Sequence, residues 1–275
     1  MKFKLAFTAA AAAMAMAAAT APAQAREMYV RGSLGAAGSW AGDATTKSST
    51  STAETQTFER TTNSLGRGLS MDASVGMELA PHVYGEVGLG YLYGLPFEGK
   101  QVTVFGSTTE TTTSNLRGQM LRLTPALVIT AGTGSLKPYA RVGVVLGIPS
   151  AVETIDTSTS NNQSSKEAEF TGGPELGLTG AAGVEVSVGD GMALAFELNY
   201  LSMAFSPSNA KLTKSTENGV DKLPTMTTRE KEVEFVDKRT VVFGETPSEG
   251  SPTQAASTTV PFSNFGAAVS LVYKF

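Results

Sequence analysis

Residues 267–275 read AAVSLVYKF, and together with the residues just before them they alternate in character. Phe265, Ala267, Val269, Leu271, Tyr273 and Phe275 fall on one parity, while Gly266, Ala268, Ser270, Val272 and Lys274 fall on the other. Period two is the mark of a β-strand with one oily face and one small or polar face. Chain ends are usually polar and frayed. A strand that keeps its pattern to an aromatic final residue predicts an end that is paired on both edges.

The opposite end differs in kind. Residues 1–25 carry Lys2 and Lys4, an apolar stretch from Leu5 to Ala19, and Ala23 and Ala25 in A-x-A spacing. This pattern predicts a secretory signal peptide cleaved after Ala25, leaving a mature chain of residues 26–275. The stretch is short for a membrane-spanning helix and is followed by Pro22. No later window approaches the run of about 18 apolar residues that a helical span needs. There is no cysteine, so no disulfide framework and no thiolate site can form. A net charge of -4 argues against a nucleic-acid partner.

Working back from the last strand, the same alternation marks eight segments, near 27–38, 67–80, 83–94, 116–131, 138–148, 174–188, 192–205 and 263–275. The links between them alternate in length. APH, GTGSLK and GDG are tight turns, whereas residues 39–66, 95–115, 149–173 and 206–262 are long and rich in Ser and Thr. In an up-and-down meander all short turns gather at one end and all long links at the other. This predicts an all-β fold: an eight-stranded antiparallel up-and-down transmembrane β-barrel with short periplasmic turns and four long extracellular loops.

Charge parity agrees. Arg31, Asp72, Glu78, Glu86, Arg122, Arg141, Glu185 and Glu197 all lie opposite the oily face of their strands. The polar face is otherwise mostly Gly, Ala, Ser and Thr, too bare for water and suited to the crowded inside of a narrow barrel. Tyr91, Tyr93, Tyr200, Phe265, Tyr273 and Phe275 sit on the oily face near strand ends, where interfacial girdles form. After Tyr200 the oily parity passes to Leu201, Met203 and Phe205, which predicts a bulge at the rim or an earlier strand end.

Leader, eight alternating strands and terminal aromatic together resemble the small outer-membrane β-barrel proteins of Gram-negative bacteria, the OmpA/OmpX/Opa-like group. The resemblance implies an integral outer-membrane protein after export, and it implies that Val269, Leu271, Tyr273 and Phe275 are the signal read by the outer-membrane assembly machinery. Nothing follows the predicted barrel, so the expected chain lacks the peptidoglycan-binding C-terminal domain of OmpA itself.

Buried charges in so narrow a lumen must pair. The eight inward charges therefore predict a salt-bridge network that plugs the barrel, most of them in the periplasmic half, with Lys274 at the mouth and Asp72 and Arg122 further out. The enzymes of this class use His with Ser or Asp at the outer end, but the one histidine, His82, falls in the APH turn at the other end. No enzyme, metal or cofactor is expected. Residues 229–244 read either as an extracellular hairpin, with Val233 and Phe235 against Val241 and Phe243, or as strands nine and ten; the interleaved Lys231, Glu232 and Glu234 favour the hairpin. The functional expectation is a monomeric surface protein displaying loops to a host or surface ligand, adhesin-like or antigenic. A narrow pore or small-solute transporter is the second reading, and a soluble lipocalin-like carrier the third.

Overall fold

The computed structural model describes residues 27–40, 43–52, 55–132, 134–238 and 248–275. The predicted leader, residues 1–25, and the second arm with Val241 and Phe243 lie outside the described residues.

Eight strands make a closed ring: β1 (Met28–Ser39), β2 (Gly68–Ala80), β3 (Val83–Gly94), β4 (Thr108–Thr130), β5 (Leu136–Ser158), β6 (Glu175–Gly189), β7 (Met192–Phe205) and β8 (Asn264–Lys274). Each pairs antiparallel with the next. The ring closes where β8 returns to β1, in an unbroken register from Tyr29 opposite Lys274 to Ser39 opposite Asn264. Phe275 extends this seam, its N–H donating to the Met28 carbonyl and its carbonyl accepting from the Met28 N–H. No edge is left in the wall.

Period-two alternation becomes inside and outside. Large apolar side chains point out: Leu34 is 65% exposed, Leu178 64% and Leu198 56%. In water such a continuous apolar wall would be an aggregation surface; against lipid it is the solvated face. The opposite parity is packed. An apolar cluster of Tyr29, Tyr84, Val128, Tyr139, Ala193, Ala195 and Val272 fills the lumen at the short-turn end. A second, of Leu65, Leu92, Met120, Val145, Ala151, Leu201, Met203, Phe205 and Phe262, fills it at the long-link end. Arg31, Asp72, Glu86, Arg122, Arg141 and Glu197 lie between.

The second cluster corrects the expectation of a bulge in β7. The strand keeps register with β6 from Ala193 opposite Ser187 to Met203 opposite Gly177, the only shift lying at the turn. Leu201, Met203 and Phe205 are therefore inward residues. It is the lumen that changes, from polar to apolar.

The long links also differ from a polar-loop reading. β4 and β5 each run for 23 residues, about 75 Å at roughly 3.3 Å per residue, well beyond a hydrocarbon core of about 30 Å. Threonine is β-branched and favours strands despite its polarity, and the outer half of β4 is threonine-rich. On this extension the links build a sheet. Residues 97–105 pair with β4, and residues 43–51 pair with 56–63 and, in parallel, with 97–105. Residues 163–172 pair with β5, and residues 207–217 pair with 163–172.

Of the expected hairpin at 229–244 only residues 229–238 are described. A helical turn at Thr228–Lys231 leads into a strand at Glu232–Val236. That strand sets Val233 opposite Ala210 and runs parallel to Thr253–Ala256. It joins the loop sheet, and no described residue of 229–244 enters the ring.

Candidate functional site: the lumen and its two seals

The lumen is built in layers along the barrel axis. At its centre, alternate strands β1, β3, β5 and β7 contribute Arg31, Glu86, Arg141 and Glu197. Arg141 Nη1 donates to Glu86 Oε1 at 3.0 Å and Nη2 donates to Glu197 Oε1 at 2.6 Å. Arg31 faces the same two carboxylates from the other side, Nε 3.7 Å from Glu86 Oε2 and Nη1 3.6 Å from Glu197 Oε2. Two tyrosines complete the ring of contacts. Tyr29 Oη donates to Glu86 Oε2 at 2.6 Å, and Tyr139 Oη donates to Glu197 Oε2 at 2.9 Å. The Arg31 guanidinium also lies 5.6 Å from the Tyr29 ring centroid and 4.9 Å from that of Tyr139. Two cations and two anions cancel, and each carboxylate has both oxygens occupied. Such a cluster holds position; it has no free base to offer a substrate.

The set repeats itself. Tyr29 and Arg31 are i and i+2 on β1, and Tyr139 and Arg141 are i and i+2 on β5, each pair sharing its strand's inward face. The Tyr-x-Arg spacing, present twice in the sequence, was the signal for the tyrosines, which charge parity alone misses. Gly76 makes room for the first of them, because a Cβ there would occupy the Tyr29 ring.

One layer outward, Arg122 and Asp72 form a separate bidentate pair, Nη2 donating to both carboxylate oxygens at 2.8 Å and Nε to Oδ1 at 3.0 Å. Near them Ser33 and Ser270 share a hydrogen bond of 2.8 Å. At the short-turn mouth, Lys274 Nζ reaches Glu185 Oε1 at 2.5 Å and Glu27 Oε1 at 3.5 Å. Glu78 is half-buried beside the β2 irregularity and joins no ion pair among the described residues. The eight sequence-predicted charges are thus brought together as a tetrad, a pair and a mouth contact, with Glu78 apart. The cause is depth: strands rise about 3.3 Å per residue, so charges on one parity still fall into different layers. Val269, Leu271 and Tyr273 stand outward on β8, each about half-exposed, and Phe275 just beyond the strand is exposed as well.

Between the tetrad and the outer apolar cluster lies an internal cavity of about 40 Å³, bordered by Ser33, Asp72, Arg122, Glu197 and Asn199. It has room for a few waters and polar groups to bind them, far short of a channel. The outer cluster closes it. Two residues of that closure come from links rather than ring strands, Leu65 and Phe262, and sequence reading missed both. The Leu65 N–H donates to the Pro261 carbonyl at 3.0 Å, and the Phe262 N–H donates to the Met203 carbonyl at 2.8 Å. Asn264 Nδ2 donates to the Gly66 carbonyl at 2.8 Å. Gly118 admits the stopper, since a Cβ there would lie 2.6 Å from Phe262 Cζ.

His82 sits in the Pro81–His82 turn with φ 68°, exposed at the end opposite the long links. No cluster of His, Asp or Glu suited to a metal occurs among the described residues.

A family model described as outer membrane protein beta-barrel domain matches residues 6–221. Among solved structures, Neisserial surface protein A (NspA) is similar over 88% of this chain and 95% of that one, at 11% sequence identity and a TM-score of 0.36. No curated protein matches the chain.

Proposed function

This chain belongs to the outer membrane protein beta-barrel domain family, and from that premise we propose that it is a non-conducting, non-enzymatic surface protein whose barrel carries a loop-built sheet outside the cell. On this reading residues 1–25 direct export, the β1–β8 ring crosses the outer membrane as eight strands, the short turns face the periplasm and the four long links face outward. The last strand is the contact for the assembly machinery, and the protein works as a monomer. The function is recognition: the extended sheet on β4 and β5 presents an ordered surface to a host or neighbouring ligand, as an adhesin or antigen does.

The observation that carries the proposal is the double closure of the lumen, a neutral charged tetrad in series with an apolar stopper. Both seals are packed from residues of this chain, which favours display over transport. The isolation of His82 from the outer end supports a non-enzymatic role.

Two measurements test it. Single-molecule conductance in planar bilayers should stay at baseline for the intact chain, and regular conductance steps would replace the reading with a narrow pore. Cells expressing a chain lacking residues 208–258, which spares Pro261 and Phe262, should lose surface binding to their ligand while keeping the barrel. Undiminished binding by that deletion would remove the display role from this link.

A further inference from the structure

In the wall the strands follow one another as β8, β1, β2 and β3. Beyond the wall the continuations of β1 and β2 stand in the reverse order. Residues 43–51 lie next to 97–105, and residues 56–63 take the outer flank. Such a reversal requires one leg of the first long link to cross the other. The crossing falls at Ser39 and Ser64. There the Ser39 hydroxyl donates to the Ser64 carbonyl and accepts from the Ser64 N–H, both at 3.3 Å.

The crossing leg, residues 64–66, passes over the end of β1 on the lumen side, and Leu65 joins the apolar cluster there. Its partners are residues 261–264, which lead into β8 on the far side of β1. The Leu65 N–H and the Ser64 hydroxyl both donate to the Pro261 carbonyl, at 3.0 and 3.1 Å, and Asn264 Nδ2 donates to the Gly66 carbonyl at 2.8 Å. The fit is close, since a Cβ on Gly66 would collide with the Phe262 carbonyl. Ser64 and Asn264 are buried, so each depends on these bonds to replace water.

None of these bonds belongs to the ring ladder. A segment held by a few bonds outside the main ladder opens at a free energy below that of global unfolding. The two halves of the contact also lead to opposite places. Residues 64–66 follow 56–63, and residues 261–264 follow 253–256, and these are the outermost described strands at the two flanks of the loop sheet. Displacement of either flank therefore pulls on the same few bonds. We propose that residues 64–66 are a strap, latched through Ser64 and Asn264 to residues 261–264. Movement of the loop sheet releases the strap, withdraws Leu65 and Phe262, and opens the internal cavity to the outside while the ring and the tetrad stay closed. The barrel then becomes a cup with a sealed floor, and an event on the loop sheet is carried into the lumen without conduction. The inference rests on the outward placing of the long links.

The test uses the full mature chain folded in detergent micelles, with amide hydrogen exchange read by NMR. The Leu65 and Phe262 N–H groups should exchange together, and faster than the amides of the β1–β8 seam. Asn264→Ala should quicken both by about tenfold, the scale of losing one hydrogen bond, and leave the rest of the seam unchanged. Ser64→Ala removes a hydroxyl and spares the main-chain bonds, and it carries the same expectation should Asn264→Ala fail to fold. A single cysteine at Asn199 on the cavity wall should react slowly with a small water-soluble thiosulfonate, and faster in either latch variant. Phe235→Ala removes the ring that packs 6.3 Å from Phe170 in the loop sheet, is no part of the latch, and should also quicken exchange at Phe262. Exchange of Leu65 and Phe262 only in step with the seam would overturn the strap, as would unchanged labelling at position 199 in the latch variants. Unchanged exchange in Phe235→Ala would overturn its coupling to the loop sheet. Conductance by the intact chain would sink the display reading and leave the strap standing; a strap that never opens apart from the seam would sink this inference and leave the display reading.

Discussion

Replacing Arg141 with alanine should destabilise the barrel more than any other single charge deletion in the lumen. Arg141 makes the two shortest ionic contacts of the tetrad, 2.6 Å to Glu197 and 3.0 Å to Glu86. Without it the two carboxylates share Arg31, whose nitrogens stand 3.6 and 3.7 Å away. The centre of the lumen then holds one uncompensated negative charge, with the Tyr29 and Tyr139 hydroxyls as its closest neutral donors. Breaking a buried pair in this way costs about 3–5 kcal/mol. The Arg141 side chain is 17% exposed towards the internal cavity, which places the cost near the lower end, about 3 kcal/mol. The double variant Arg141→Met with Glu197→Gln restores neutrality around Arg31 and Glu86. It should therefore be less damaging than the two single changes summed, by roughly 1–3 kcal/mol of coupling. Urea unfolding in lipid vesicles reads both quantities. Trp40, the one tryptophan, packs 6.0 Å from Phe265 on the outer wall and reports loss of the membrane-embedded state. A cost below about 1 kcal/mol for Arg141→Ala, or strict additivity in the double variant, would refute the tetrad as a coupled unit.

Three other outcomes are expected. Phe262→Ala removes a fully buried ring from the stopper and should cost about 3–5 kcal/mol; bilayer conductance should still be absent, because the tetrad remains, and should arise only when Arg141→Ala is added. Gly76→Ala pushes a methyl group into the Tyr29 ring and should cost about 1–3 kcal/mol by overpacking, so a urea midpoint equal to that of the parent would contradict the described packing of Tyr29. Deleting Phe275 removes its bonds to Met28 at the ring's closing seam and an aromatic residue from the outward face. The variant should be depleted from the outer-membrane fraction, and normal recovery there would detach the terminal residue from assembly.

The eight ring strands were legible because two solvents act on them. Lipid outside and a packed lumen inside force period two on every strand, and the segment near 83–94 coincides with β3. The outer extensions of β4 and β5 were not legible: Thr111, Thr112 and Thr113 read as polar loop, yet their backbones find partners across from Ser158, Thr157 and Asp156. Parallel pairings such as Val233 with Thr253 leave no local trace at all. For the candidate site, parity placed the charges inside but carried no depth, so one network was expected where layers exist. Leu201, Met203 and Phe205 looked like a register fault because an apolar lumen segment breaks the assumed rule that inward means polar. Leu65 and Phe262 lie outside the ring strands, and only the fold brings them to the same mouth.

The central claim is that β8 lies in lipid on one face and in a packed lumen on the other. The chain has no cysteine, so single cysteines placed from 265 to 273 can each carry one nitroxide label in reconstituted vesicles. Collision rates with oxygen and with a water-soluble nickel complex should alternate. Labels at 267, 269 and 271 should meet oxygen and not nickel, and labels at 268, 270 and 272 should be shielded from both or prevent folding. Nickel accessibility at 267, 269 and 271, or the absence of a two-residue period, would contradict a membrane-spanning barrel.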